Sequence, residues 1–188
     1  MTGFETLRGQ TPLSPDDQQG ILVPANTQHE LDVWEKRNIE SARLWALRSR
    51  KLRARLLEVD GICLLHSKMF GEVWEWAGRF RTKELNIGVA PELVQDSLKS
   101  ALDDAKHWLE HEVCSERKAA VLLHHRLALI HPFPNGNGRL AREVADQLLL
   151  QRGFPRINWG VERDAYLKAL RAADKQDFSP LLKLVEEK

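Results

Sequence analysis

The chain has 188 residues and nearly balanced charge, with 28 Lys and Arg against 27 Asp and Glu and a formal net charge of +1. That length suits one domain with a sizeable core, and the balance excludes the clustered basic excess of a nucleic-acid binder. Two cysteines, Cys63 and Cys114, are too few for a disulfide framework.

No apolar run approaches the ~20 residues that a membrane-spanning helix needs. The first residues lack the basic-then-apolar pattern of a secretory signal. The expected location is the cytoplasm, with no membrane partner. The basic run between Arg37 and Arg55 reads as a solvated helix face rather than a nucleic-acid contact.

Met1 to Gln28 is rich in Gly, Thr, Pro and Asp and reads as an extended arm, with Ile21-Leu-Val23 as its contact point. From His29 to about Glu58, Leu31, Trp34, Ile39, Ala42, Trp45 and Ala46 predict a long amphipathic helix, broken once. Asp60 to Phe70 reads as a second helix, and Gly71 to Trp76 as a short one stopped by Gly78. Arg79 to Val89 carries a weak hairpin signal. Pro91 suits the first position of a helix that runs to about Glu112. Ser115 caps the next, which carries Ala119, Val121, Leu122, Leu127, Leu129 and Ile130 and ends at Pro132 and Pro134. A further helix runs from about Gly138 to Gly153, and another from Val161 to Lys175. Ser179 and Pro180 open the last. The expectation is a mostly α fold with one small β-hairpin, divided into an arm over 1–28, a helical region over 29–56 and a main domain over 57–188.

The stretch His131-Pro-Phe-Pro-Asn-Gly-Asn-Gly-Arg-Leu-Ala-Arg142 joins two predicted helices and combines an imidazole, glycines, amides and arginines. Group transfer at phosphorus spreads negative charge over phosphate oxygens, so catalysis there is mostly positioning and electrostatics. N–H groups at a helix start bind such oxygens. Gly136 and Gly138 let backbone approach a ligand, and Asn137 adds a side-chain donor. Arg139 offers a planar fork matched to phosphate, and Arg142 shares its helix face. His131 has the pKa class of a base that accepts a hydroxyl proton near neutral pH. No Gly-Lys-Ser/Thr follows the glycines, so a Walker-type loop does not fit. His124 and His125 match no zinc spacing and read as packing residues. The six tryptophans, Trp74 and Trp76 included, read as core.

The twelve residues resemble the signature of Fic (Fic/Doc-like) proteins, His-Pro-Phe-x-acid-Gly-Asn-Gly-Arg-x-x-Arg, at every fixed position but one. The Pro134-Asn135 variant is similar to the Fic subgroup called mobile mystery protein B. Val73 to Arg81 resembles the family's Trp-Ala-Gly-x-x-Arg segment, and Tyr166 to Leu182 its closing helices, so the likeness spans Leu57 to Lys188. It implies a Fic-type helical bundle with a β-hairpin flap over Thr82, Lys83, Glu84, Leu85, Asn86, Ile87 and Gly88 that docks the target.

The resemblance also implies the chemistry. Fic proteins mostly transfer AMP from ATP to a Ser, Thr or Tyr hydroxyl of a protein. His131 becomes the general base and Phe133 the anchor of the loop. Gly136, Asn137 and Gly138 form the anion hole, and Arg139 and Arg142 hold the phosphates. Asn135 stands where the family has the acidic residue that holds Mg²⁺, so it is a weakened metal ligand. Three alternatives stay open: AMP transfer, phosphate transfer by a Doc-like kinase or transfer of another phosphate-containing group, and a nucleotide-binding module without turnover. A small helix-turn-helix or antitoxin-like partner is implied by the subgroup. Many Fic proteins hold themselves off through Ser/Thr-x-x-x-Glu-Gly/Asn, whose glutamate pairs with the second motif arginine. No Ser or Thr here has Glu four residues on. Inhibition then comes from another acidic residue, comes from a separate partner, or is absent; Glu35 and Glu40 are the candidates to reach Arg142.

Overall fold

The computed structural model describes residues 20–186. Among them α1 spans Gln28–Arg48, α2 Arg50–Arg55, α3 Val59–Phe70, α4 Val94–Glu110, α5 Glu116–Ile130, α6 Asn137–Gln151, α7 Arg163–Ala173 and α8 Ser179–Glu186. A 3₁₀ turn over Pro91–Leu93 leads into α4, so Pro91 opens that turn rather than the helix itself.

Local chemistry sets these boundaries. Thr27 and Glu30 form a reciprocal capping box at the start of α1. The predicted break falls at Ser49, which ends α1 and accepts the Leu52 N–H at 3.1 Å to start α2. Ser115 caps α5 in the same way through the Lys118 N–H. The helices α5 and α6 bury residues on most of their circumference, as expected of the centre of a bundle. Leu65, Met69 and Phe70 of α3 meet Leu123 and Leu127 of α5 and Val144 and Leu148 of α6 in one core. Each such side chain contributes about 1.5–3 kcal/mol on burial. Asn38 of α1 bolts that helix to α3, donating to the Lys68 carbonyl at 3.0 Å and accepting the Glu72 N–H at 3.1 Å.

The described part of the expected arm pairs along the Trp-Ala-Gly segment. The Leu22 N–H donates to the Val73 carbonyl and the Glu75 N–H to the Gly20 carbonyl, both at 2.8 Å, around an isolated bridge between Ile21 and Trp74. Residues 1–19 of the expected arm lie outside the described residues.

Two expectations are corrected. The stretch from Thr82 to Gly88 forms no β-hairpin, and no strand occurs among the described residues; the fold is all-α. Its backbone is tied elsewhere. The guanidinium of Arg81 donates to the carbonyls of Lys83, at 3.0 Å, and of Val89, while the Val89 N–H reaches the Ile130 carbonyl at 3.3 Å. A side chain satisfies the groups that a cross-strand ladder would have used. Gly71 to Trp76 is likewise a run of turns, not a helix, because Trp74 is drawn into the bridge with Ile21.

Candidate active site

α5 ends on His131 and α6 begins after Gly136, and both residues are left-handed, at φ 54° and 78°. Glycine adopts that region freely and histidine does not, so His131 is held there by its surroundings. Its Nδ1 lies 3.1 Å from the Ala128 carbonyl. A carbonyl can only accept, so Nδ1 carries the hydrogen and Nε2 is the basic nitrogen of the neutral ring. Burial, and beyond it the charge of Arg81, hold the imidazole below the usual histidine pKa, while the Ala128 bond opposes them. Arg81 also fixes the backbone at this point, donating from Nε to the His131 carbonyl at 2.7 Å.

Phe133 is buried, as expected of an anchor. The Asn137 side chain accepts the Phe133 N–H at 2.9 Å and donates to the Phe133 carbonyl at 2.8 Å. This amide was expected to face phosphate; it closes the loop on itself instead. The backbone serves the ligand. The first α6 bond runs from the Leu140 N–H to the Gly136 carbonyl at 2.9 Å, so the N–H groups of Asn137, Gly138 and Arg139 have no intrahelical acceptor.

Arg139 lies over the Phe70 ring, 4.8 Å from its centroid, and forms an ion pair with Glu35. Glu35 is buried on α1, where its other oxygen accepts the Trp74 indole N–H at 2.7 Å. The expected pairing with Arg142 is not formed: among the described residues no ion pair joins Arg142 to Glu35 or Glu40. Arg142 faces Tyr166 instead, its guanidinium 5.9 Å from the ring centroid. The Tyr166 hydroxyl meets His124 Nε2 at 2.8 Å. His124 is fully buried, packs on Trp159 and is kept neutral, with its pKa lowered to about 3 by burial.

Glu35, Arg139, Arg142 and Tyr166 line one cleft of about 670 Å³ between α1, the start of α6 and α7. It brings together His131, Asn135, Gly136, Asn137, Gly138, Arg139 and Arg142 with Ile87 of the expected flap. Asp32, Lys36, Glu40 and Arg43 close one side, and Trp159, Tyr166 and Leu170 the other. The remaining flap residues do not join it. Thr82, Lys83 and Leu85 line a separate groove with Trp76, Phe80 and Pro134, and Glu84 and Asn86 are exposed. Gly88 serves by close approach, since a Cβ there would meet Arg81 Nη2 at 2.6 Å and His131 Cβ at 2.9 Å.

Asn135 offers one neutral side-chain oxygen, which accepts the Gly136 N–H at 2.5 Å and has a second lone pair to give. Such a donor suits a metal already carried by phosphates rather than a site that loads a free cation.

Sequence reasoning missed the Arg139 partner, Trp159 and Tyr166. The signal for the first was legible: Glu35 falls on the apolar stripe of α1, one turn after Leu31 and one before Ile39.

The Fic/DOC family model matches residues 56–149. Protein adenylyltransferase fic-1 of Caenorhabditis elegans is 33% identical over 138 residues, which cover 69% of this chain and 26% of that protein. The solved Fic-1 (residues 134–508) of C. elegans superposes with a TM-score of 0.66 at 29% identity, covering 89% of this chain and 51% of that one. BepC of Bartonella tribocorum, solved with AMPPNP bound, shares the fold at a TM-score of 0.68 and 15% identity, over 93% of this chain and 97% of that one. The chain thus spans about a quarter of the curated relative. Matched over half its length, through the segment that carries the loop from His131 to Arg142, the chain belongs to the Fic/DOC family.

Proposed function

We propose that the chain transfers AMP from ATP to a Ser, Thr or Tyr hydroxyl of a protein. The observation that carries this reading is the convergence at one cleft of the basic Nε2 of His131, three helix-start N–H groups and two arginines. The curated relative named a protein adenylyltransferase and the AMPPNP-bound neighbour support it.

In this reading the target oxygen bonds to the α-phosphorus of ATP, and the bond from that phosphorus to the bridging oxygen of the β-phosphate breaks. The hydroxyl proton passes to His131 Nε2, and pyrophosphate leaves with the bond's electron pair. The N–H groups of Asn137, Gly138 and Arg139 hold phosphate oxygens, where removal of one such donor costs about 10²–10³ in rate. Arg139 does so after exchanging Glu35 for phosphate. Arg142, steadied by Tyr166, reaches the terminal phosphates. A Mg²⁺ ion, when bound, neutralises phosphate charge; Asn135 Oδ1 would be its ligand from the motif.

The Pro134-Asn135 variant supports membership of the mobile mystery protein B subgroup, and with it a small helix-turn-helix or antitoxin-like partner in the cytoplasm. Within this reading the Fic domain is residues 57–188, the helical region 29–56 supplies Glu35, and 1–28 is the arm. The flap residues Lys83 and Leu85 hold the target from the groove beside Trp76. Asn135 favours one second reading, a nucleotide-binding module without turnover. A Doc-like kinase fits less well, because Gly138 and Arg139 keep the usual Gly-Asn-Gly-Arg.

Incubation with α-labelled and with γ-labelled ATP and a lysate separates these readings. Label on protein from the α-position alone supports AMP transfer. Label from the γ-position alone supports a kinase, and ATP binding with neither supports the module.

A further inference from the structure

The imidazole of His66 lies beneath the loop of Asn135 and Gly136, outside the cleft. It is fully buried on α3 and stacks on Phe133 with ring centroids 3.8 Å apart and 17° between planes. Both ring nitrogens are engaged. The Gly78 backbone N–H can only donate, and it reaches Nδ1 at 2.9 Å. Nδ1 is therefore the acceptor, and in the neutral ring the hydrogen sits on Nε2. Nε2 in turn lies 3.1 Å from the Asn135 carbonyl, which can only accept. The two contacts require the same tautomer. Burial keeps the ring neutral, lowering its pKa to about 3.

A trans peptide unit is planar, so its C=O and N–H point in opposite directions. With the Asn135 carbonyl drawn into the core by His66, the Gly136 N–H of the same unit is turned away, toward the side where Asn135 and Gly136 line the cleft. Asn135 Oδ1 caps it there. Turning the peptide over would present a carbonyl oxygen to any anion in the cleft and bury the N–H. Gly136 cannot resist that flip with a side chain, because a Cβ at this position would meet the Phe70 ring at 2.6 Å. The orientation has to be held from behind.

We propose that His66 is the positioning residue of the anion-binding loop: its Nε2–H bond to the Asn135 carbonyl holds that oxygen in the core, away from the phosphates, and keeps the Gly136 N–H on the cleft side beneath Asn135 Oδ1. The inference rests on the reading of the cleft as a nucleotide site. It also couples that loop to the Trp-Ala-Gly turn, because Gly78 sets the tautomer.

The test compares ATP and adenosine binding by calorimetry in the wild type, His66→Leu and His66→Gln. Leucine fills the space without a donor; glutamine keeps an N–H able to reach the carbonyl. ATP affinity falls about tenfold or more in His66→Leu, adenosine affinity stays constant, and His66→Gln recovers part of the loss. Imidazole ¹⁵N spectra of the wild type show the Nε2–H tautomer throughout pH 5–8, which decides the matter if the variants do not fold. Unchanged ATP affinity in His66→Leu, an equal loss for ATP and adenosine, or a ring protonated on Nδ1 overturns the proposal. A wild type that binds ATP with this His66 signature yet transfers no label refutes AMP transfer and leaves His66 in its role. A wild type that binds no ATP overturns both.

Discussion

Glu35 holds the first arginine of the motif. Its carboxylate is buried on α1 between the Trp74 indole and the Arg139 guanidinium, so the group read as a phosphate ligand is already satisfied by an anion of the protein. A second tie of the same kind, Arg43 to Glu143 at 2.8 Å, joins the same two helices two turns further along α1. In the proposed reading, a nucleotide phosphate that enters the cleft displaces Glu35 from Arg139.

Replacing Glu35 with Gln keeps the acceptor for Trp74 and removes the competing charge. Hydrogen bonds to charged groups are worth about 1.5–3 kcal/mol, so ATP affinity is expected to rise about tenfold in Glu35→Gln. Isothermal titration with ATP checks this, and an unchanged or weaker affinity contradicts the exchange. The same variant melts a few degrees lower, since a buried ion pair is lost.

The Asn135→Asp variant returns a charged oxygen to the loop while still accepting the Gly136 N–H. Hard divalent cations favour carboxylate oxygen. The expected outcome is a steeper Mg²⁺ dependence, with transfer raised about tenfold at saturating ATP. Rates measured across a Mg²⁺ titration in both proteins decide it; no change, or a loss, means that the missing acid does not limit the reaction.

Asn137→Ala leaves both the N–H and the carbonyl of Phe133 buried without partners. Each unsatisfied group costs about 1–3 kcal/mol. A melting-temperature drop of several degrees is expected together with weakened ATP binding, because the loop that orients the α6 N-terminus opens. A variant as stable as the wild type would show that water replaces the amide without cost.

Much of this architecture was legible before any coordinates. Ser115 and the prolines at 91, 132 and 134 mark helix ends by local chemistry that needs no tertiary partner. The motif announced the cleft, since His131, the glycines and both arginines converge there. The misses share a cause. The absent hairpin depends on the Arg81 side chain reaching the Lys83, Val89, Ile130 and His131 carbonyls, a pattern invisible to strand propensity. The partner of Arg139 comes from 104 residues upstream. His66 sits in an apolar stripe, like Glu35, and only the fold shows which loop it holds.

Acid sensitivity follows from the buried imidazoles. His66 and His124 are held to about 3 by burial, below the ordinary value near 6.5. Both stay neutral in the folded chain and gain protons only on unfolding. Their contribution is therefore full above about pH 6.5 and is lost as pH falls toward 3. Where both are protonated only in the unfolded chain, stability declines by about 2.7 kcal/mol per pH unit. Urea melts at pH 7, 6, 5 and 4 check the slope, and replacing either histidine should halve it. His131 follows the same sign in activity. Its pKa lies below the usual histidine value, so the acid limb of kcat/KM falls below about 6.5.

The proposed reaction requires His131 to remove the proton of a target hydroxyl attacking ATP held in this cleft. Transfer of α-labelled AMP to protein is measured beside ATP binding, in the wild type and in His131→Ala. Labelled protein is expected only in the wild type, with ATP bound by both to within a few fold. Label that persists in His131→Ala, or is absent from a wild type that binds ATP, contradicts it.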